Sequence, residues 1–293
     1  MFSPYWDNLF VTVVVFILLS WGLYLPMRGG QLFNGPVFFA AISGYFVAYV
    51  TKTLGWLPVF GLLGGTVFSG LFAFGLSFIL APLTMFQMAV VTISLIFIIQ
   101  TTFRNLEFLG GVTGISGIPG MDNLLLVCVI SIIVPLLLFD RLYKSRWGRA
   151  MEAVEVDRPM ASAMGIDIIT MSVALQTASG VLGGLAGAIY TFNLGTIHPE
   201  IFGFGQLLYC LCIVMIGGRN THWGCLFFAP ILWLIPEFFP SELAKFRNIF
   251  FALILIVFLL TRPKGAITKS LVAKVESWFM LSRWMNKRGP AGT

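Results

Sequence analysis

Long apolar segments separated by short polar stretches occur along the whole chain of 293 residues. A helix needs about 20 mainly apolar residues to cross the hydrocarbon core of a bilayer. This criterion predicts nine spans, at 8–26, 32–50, 57–80, 85–102, 123–139, 170–192, 203–218, 223–239 and 247–261. The two segments on either side of Gly217 and Gly218 are short and form either a spanning hairpin or a re-entrant pair, so we expect about eight to ten spans.

The composition places these segments in a membrane. Hydrophobic residues make up 58% of the chain and charged residues 10%, against about 25% charged residues in soluble domains. Irregular backbone cannot face lipid, and the short alternating segments of a β-barrel are not visible. The expected fold is all-α, a polytopic transmembrane helix bundle over residues 1–268. The basic tail at 269–293 mixes Lys and Arg with large apolar residues, which favours an amphipathic helix on the cytoplasmic membrane surface over a disordered tail.

One loop between two predicted spans holds a third of the charged residues. Ten of the 30 charges lie between Asp140 and Asp167. Placing the loop 140–169 in the cytoplasm puts 14 of the 18 Lys and Arg residues on that side, as the positive-inside rule requires. The N-terminus is then outside and the C-terminus inside. Because the basic residues are scattered between spans, they indicate topology and not a nucleic-acid partner.

Two loops on the opposite side contain turn-forming residues. The loop 103–122 is rich in glycine, which permits backbone angles that other residues avoid. It forms either ordinary turns or a segment that dips back towards a pathway. For the loop 193–202 we expect ordinary turns.

The charged loop contains the signals of a short helix. Asp157 is suited to cap a helix that begins at Arg158, and Pro159 is tolerated in its first turn. Gly165 suits the C-terminal cap. The pattern predicts about two helical turns along the membrane surface, too short to be stable without neighbours. Such a helix fits a cleft on a partner protein, and the alternative is a structured loop without a partner.

Catalytic and metal-binding patterns are absent from the sequence. The GxxxxGK[ST] motif of phosphate loops is missing, the four cysteines form no CxxC pair, and the two histidines lie in separate predicted loops. No acidic or basic residue lies deep in a predicted span. Ion-coupled pumps use such intramembrane charges, so the pathway is either passive or driven by another subunit. The candidate pathway residues are polar and uncharged: Gln31, Ser43, Tyr45, Gln100, Thr113, Ser116 and Gln176.

Short motifs occur in a fixed order along most of the chain: Gly30-Gln31-Leu32, Gly110–Pro119, Arg146-Trp147-Gly148-Arg149-Ala150, Ala163-Met164-Gly165-Ile166, Gly183–Tyr190, His198-Pro199-Glu200 and Arg262-Pro263-Lys264-Gly265. As an ordered set they resemble the permease subunits of ATP-binding cassette (ABC) importers for branched-chain amino acids. The chain differs from that family at Gly35-Pro36, where the family has Gly-His, and at Pro159, which interrupts the coupling segment. Related permeases for urea or short-chain amides have the same scaffold, so these solutes are an alternative.

The resemblance implies a type II ABC-importer-like permease in the bacterial inner membrane. Two ATP-binding cassette subunits, a second homologous permease subunit and a periplasmic solute-binding protein are the implied partners. This chain would bind no cofactor and have no ATPase site, because ATP is held by the partner subunits. The residues assigned to coupling with the ATPase are Arg149, Glu155, Asp157, Arg158, Ala161, Met164 and Gly165. The implied function is import of branched-chain amino acids, and a passive channel for a neutral solute is the alternative from another class.

Overall fold

A computed structural model describes residues 4–217 and 221–234. Ten α-helices occur in this part of the chain: α1 (Pro4–Arg28), α2 (Gly35–Thr53), α3 (Pro58–Leu80), α4 (Met85–Asn105), α5 (Leu124–Lys144), α6 (Arg146–Val156), α7 (Arg158–Ala163), α8 (Ile168–Leu194), α9 (Phe204–Gly217) and α10 (His222–Leu234). Two strands, β1 (Ile115–Ser116) and β2 (Thr196–Ile197), and two 3-10 turns, Glu107–Leu109 and Pro199–Phe202, accompany them. The predicted span 247–261 and the predicted tail 269–293 lie outside the described residues.

Eight of the nine predicted spans coincide with helices, namely α1 to α5 and α8 to α10. Five of these helices, α1, α3, α4, α5 and α8, are long and apolar enough to cross a membrane. Helix α2 has 19 residues, and α9 and α10 have 14 and 13 described residues, up to the limits of the described ranges at Gly217 and Leu234. The predicted all-α polytopic bundle is confirmed.

Helix α8 lies at the centre of the bundle, in contact with α1, α2 and α3. Its glycines permit this close approach. A Cβ atom at Gly183 would overlap the backbone of Pro36, and one at Gly187 would overlap the backbone of Ala40. Gly183 and Gly187 are four positions apart, the spacing of small residues that lets helix backbones approach each other in lipid.

A different structure covers each end of the bundle. At one end, which we call the α6 end, α6 and α7 pack below α1, α5 and α8. At the other, the sheet end, β1 pairs antiparallel with β2, and Ile115 lies opposite Ile197. The loop 193–202 is therefore part of a sheet, whereas we expected ordinary turns there. Gly114, at φ +71°, permits the pairing because a Cβ atom there would overlap the backbone of Ile197.

The first residue of α10 lies inside the bundle. Trp21 Nε1 of α1 donates a hydrogen bond to the carbonyl oxygen of His222 (2.9 Å). The His222 side chain lies 3.2 Å from Asp140 Oδ1 of α5, and its ring stacks on Tyr143. His222, expected in a loop, is thus the first residue of α10 and fixes this helix to α1 and α5.

Candidate functional site

The charged loop folds into two helices, each with a side-chain cap. Ser145 Oγ accepts a hydrogen bond from Trp147 N (3.1 Å) at the start of α6. Asp157 Oδ1 accepts one from Met160 N (3.0 Å) at the start of α7. Helix α7 has six residues, and Gly165 follows it at φ +84°. The short helix predicted after Asp157 is confirmed, although it ends slightly before the predicted cap.

Apolar side chains are exposed on α7 and on the residues that flank it, beside a partly buried cation. Val156, Met160 and Met164 are 87%, 64% and 74% exposed. Arg158 has two buried guanidinium nitrogens, Nε and Nη2, without a hydrogen-bond partner in the described residues. Burial lowers the pKa of this guanidinium. We call these four residues the docking patch, because exposed apolar groups beside an unsatisfied charge are typical of a surface that another protein covers.

A buried arginine ties α6 to the end of α1. Arg28, the last residue of α1, is 3% exposed; its Nη1 lies 2.7 Å from Glu155 Oε2 and its Nη2 lies 3.0 Å from Glu152 Oε1. The predicted span ended before Arg28 and left this residue in a loop, whereas the structure extends the helix through it. The ion pairs fix the position of α6, and thereby the position of the docking patch, relative to the bundle.

The seven residues assigned to coupling divide between the surface and the interior. Arg149, Asp157, Met164 and Gly165 are exposed, Arg158 and Glu155 are half-buried, and Ala161 is buried. Asp157 and Gly165 shape the ends of α7, and Glu155 pairs with Arg28. This leaves the side chains of Arg149, Arg158 and Met164 available to a partner.

A set of buried hydrogen bonds links the connection between α1 and α2 to the helices around it. Gln31 Nε2 donates to Ser172 Oγ of α8 (2.5 Å), and Gln31 Oε1 accepts from Gln176 Nε2 (2.9 Å). Asn34 N donates to Thr92 Oγ1 of α4 (3.2 Å). We call these five residues the amide cluster. Gln31 and Gln176 were predicted from the sequence as pathway residues, whereas Ser172, Asn34 and Thr92 were not.

The amide cluster has two acceptor atoms that are not used. Oε1 of Gln176 and Oδ1 of Asn34 are buried and accept no hydrogen bond from the described residues. A buried acceptor without a partner costs about 1–3 kcal/mol. The cluster is therefore suited to accept a hydrogen bond from a solute group or a water molecule.

The remaining pathway candidates lie apart from the amide cluster. Ser43 and Tyr45 are buried in α2, and the ring of Tyr45 packs against α4. Gln100 is half-buried in α4, near the turn 199–203. Thr113 and Ser116 are exposed at the sheet end. Of the seven candidates, the structure thus brings together Gln31 and Gln176 and separates the other five.

Helix α4 differs from the neighbouring long helices in its exposed face. The exposed residues of α3, and those of α5 between Leu125 and Leu138, are all apolar, as contact with lipid requires. On α4, the exposed residues include Gln87, Ser94, Thr101 and Asn105. The first three are seven residues apart, about two helical turns, so they lie on one face. We call these four residues the polar stripe; Gln100 lies next to it.

A multi-pass bundle with a polar stripe along one span, an amide cluster at its α6 end and a folded loop with a docking patch has the architecture of a membrane permease. A family model described as "Branched-chain amino acid transport system / permease component" matches residues 5–260. This match covers most of the chain, so the chain belongs to that family. The resemblance to permease subunits of ABC importers is confirmed.

Three curated relatives of this chain are permeases named for different solutes. The high-affinity branched-chain amino acid transport system permease protein LivM of Escherichia coli (strain K12) is 24% identical over 292 residues, which cover 86% of this chain and 67% of LivM. The fructose import permease protein FruG of Bifidobacterium longum is 27% identical over 231 residues, 72% of this chain and 66% of FruG. The D-allose transport system permease protein AlsC of E. coli is 32% identical over 96 residues, 33% of this chain and 29% of AlsC. No solved structure matches the chain significantly.

Proposed function

We propose that this chain forms the translocation pathway of an ATP-driven importer for branched-chain or related amino acids. Two ATP-binding cassette subunits, which hold the ATP, dock at the α6 end, and an extracytoplasmic solute-binding protein delivers the solute at the sheet end. A second, homologous permease subunit completes the pathway. The importer lies in the bacterial inner membrane, with the α6 end in the cytoplasm. The docking patch is the observation that carries this proposal.

The docking patch has the chemistry of a protein interface. Val156, Met160 and Met164 project from a loop that faces water in the proposed orientation. Complete burial of an apolar side chain of this size contributes about 1.5–3 kcal/mol. Arg158 is half-buried beside these side chains, and a carboxylate on the partner would pair with the exposed part of its guanidinium. An ATPase that covers α7 would therefore gain both apolar and ionic contacts.

Arg28 supplies a route from the docking patch to the pathway. It holds α6 through Glu152 and Glu155, and it directly precedes the non-helical segment 29–34. Gln31 in this segment is hydrogen-bonded to α8. A displacement of α6 by the ATPase therefore reaches the amide cluster through a few rigid contacts. We propose that the cluster is the gate at the α6 end, which opens when its hydrogen bonds exchange to solute and water.

The polar stripe of α4 is the proposed wall of the pathway. Its residues are uncharged and extend over 18 positions, about 27 Å of helix. The exposed Val91 and Ile98 lie between these residues, so the face is mixed; its polar groups are suited to water and a polar solute, whereas the apolar faces of α3 and α5 are matched to lipid. The second permease subunit would enclose the stripe from the other side.

The observations limit the identity of the solute less than any other part of this proposal. The similarity to LivM supports branched-chain amino acids, while the similarities to FruG and AlsC support a sugar as the second candidate. Urea or a short-chain amide suits an uncharged pathway equally well. Uptake of labelled leucine, fructose and urea into vesicles that contain the complete importer will identify the class.

The docking proposal is tested by recovery of the ATPase subunits with tagged chain. We expect Met160→Ser combined with Met164→Ser to lose the ATPase, because the apolar part of the docking patch is removed. Val112→Ser is the matched control, since Val112 is 72% exposed but lies in the loop at the sheet end. Equal recovery of the ATPase with the wild-type chain, the double methionine variant and Val112→Ser would contradict docking at α7.

A further inference from the structure

An apolar cavity of about 400 Å³ lies between α2, α3 and α4. Seven of its eleven lining residues are aromatic. Aromatic pairs form its walls: the ring centroids of Tyr45 and Phe103 are 4.2 Å apart, and Phe46 stacks on Phe68 at 4.9 Å. The volume falls in the range of ligand-binding sites, about 300–1,000 Å³. This cavity is separate from the amide cluster and from the polar stripe.

The lining residues offer little to a charged or strongly polar ligand. The hydroxyl groups among them belong to Tyr45, Tyr49 and Thr102. Thr102 Oγ1 already donates to the carbonyl oxygen of Ile98 (2.8 Å). Burial of a polar group without a compensating hydrogen bond costs about 2–7 kcal/mol, so an amino acid or a sugar is a poor occupant. The lining fits a hydrocarbon.

The rim of the cavity is continuous with the lipid-facing surface. Phe68, Phe72 and Phe108 line the cavity and are exposed, and the first two belong to the apolar exposed face of α3. Phe108 lies beyond the sheet end of α4, next to Tyr49, and the lining residues of α2 run from Tyr49 back to Ile42, seven positions or about 10 Å of helix. One leaflet of hydrocarbon is about 15 Å thick, half of the bilayer core. The cavity therefore extends through about two thirds of one leaflet, parallel to the helices.

We infer that this cavity binds one acyl chain of a phospholipid from the leaflet at the sheet end. The ester end lies near Phe108 and the methyl end near Phe72. Helices α3 and α4 both pack on α2, so α2 forms the floor of the cavity and the acyl chain fills the gap between the other two. The lipid thus supports α4, the helix with the polar stripe, from the side opposite the solute. The inference does not depend on which solute is carried.

The test uses two phosphatidylglycerols, one with a diazirine near the ester and one with a diazirine near the methyl end of an acyl chain. Each is incorporated into nanodiscs with the complex that is purified through a tag on this chain. After illumination, mass spectrometry locates the cross-links. We expect the ester-side probe to label residues 102–109 and the methyl-side probe to label residues 68–72. Both signals should exceed the labelling of the exposed face of α5.

A substitution that fills the cavity provides a second test. Thr102→Phe places a ring in the cavity and should reduce labelling there to the level of α5. Ile98→Phe is the control, because Ile98 is exposed on the same helix one turn away but does not line the cavity. The depth order of the two probes is measured in the unmodified chain, so it decides the inference even if Thr102→Phe does not fold.

Three results would overturn the inference. The first is labelling by both probes that depends only on side-chain exposure and is as strong on the exposed face of α5 as in the cavity. The second is unchanged labelling in a folded Thr102→Phe chain. The third is a cross-link between a cavity residue and a second permease subunit in place of lipid, which would identify the occupant as a protein side chain.

Discussion

Replacing Arg28 by Met tests the contact that fixes α6 to the bundle. Methionine keeps much of the apolar stem but removes the charge. Removal of one partner from a buried ion pair costs about 3–5 kcal/mol, whereas an exposed pair contributes about 0–1 kcal/mol. The side chain of Arg28 is 3% exposed, and those of Glu155 and Glu152 are 22% and 48% exposed. Because the carboxylates retain part of their hydration, we expect a loss of about 2–3 kcal/mol.

The unfolding free energy can be measured by titration of the purified chain from mild detergent into sodium dodecyl sulfate. Arg104→Met is the matched control, because Arg104 Nη2 lies 2.9 Å from Glu200 Oε1 and both side chains are exposed, 43% and 71%. We expect this control to lose less than about 1 kcal/mol. An Arg28→Met chain as stable as wild type, or an Arg104→Met chain that loses as much, would refute the structural role of the buried pair.

The same substitution, Arg28→Met, separates an effect on stability from an effect on the coupling of ATP hydrolysis to solute uptake. In the complete importer, Arg28→Met should leave ATP hydrolysis in place but reduce solute uptake, because the docking helices lose their connection to the amide cluster. Uptake and hydrolysis that fall in equal proportion would instead indicate a general loss of folded complex.

Three further predictions concern the loop and the bundle. Met164→Trp and, separately, Arg149→Glu should uncouple ATP hydrolysis from uptake without preventing membrane insertion; wild-type uptake in both variants would argue against docking. A cysteine at Ser145 should react with an impermeant maleimide only from the cytoplasmic side of sealed vesicles, and reaction from outside would reverse the proposed orientation. Gly187→Leu should abolish accumulation of folded chain, because overpacking costs about 1–3 kcal/mol or more. Gly75→Leu, where a Cβ atom would meet no neighbour within 4 Å, should accumulate normally.

The features that could be predicted from the sequence depend on local signals. The spans follow from runs of apolar residues, and α7 follows from Asp157 and Gly165, which lie within one short segment. Helix α6 was not predicted, although it also has a local signal. Ser145 caps it, and Gly148, Met151 and Val154 are buried at a spacing of three residues, typical of an amphipathic helix.

The features that could not be predicted depend on partners that are distant in the sequence. Arg28 and Glu155 are 127 positions apart, and nothing near either residue indicates the other. Gln31 and Gln176 could be chosen as polar residues at depth, but their hydrogen bond requires α8 to pack beside the connection between α1 and α2. The two-residue strands β1 and β2 are too short to show an alternating pattern. Their pairing follows from the positions of α4, α5 and α8.

The polar residues on the exposed face of α4 could be predicted only in part from the sequence. The polar residues Gln87, Ser94 and Thr101 are visible in the sequence at a spacing of seven, but α3 and α5 also contain polar residues. The difference is that Ser69, Ser77 and Ser131 are buried. Only the packed structure distinguishes a polar residue that is buried between helices from one that is exposed, as the members of the proposed pathway wall are.

The central claim is that an uncharged pathway obtains its driving force through the docking patch. The most direct measurement is solute uptake by three vesicle preparations, each supplied with the solute-binding protein and ATP. The first contains this chain alone, and the second contains this chain with the other permease and ATPase subunits. The third is the second preparation with Met160→Ser and Met164→Ser in this chain. We expect accumulation against a gradient only in the second preparation. Uphill accumulation by this chain alone, or undiminished accumulation without the two methionines, would contradict the claim.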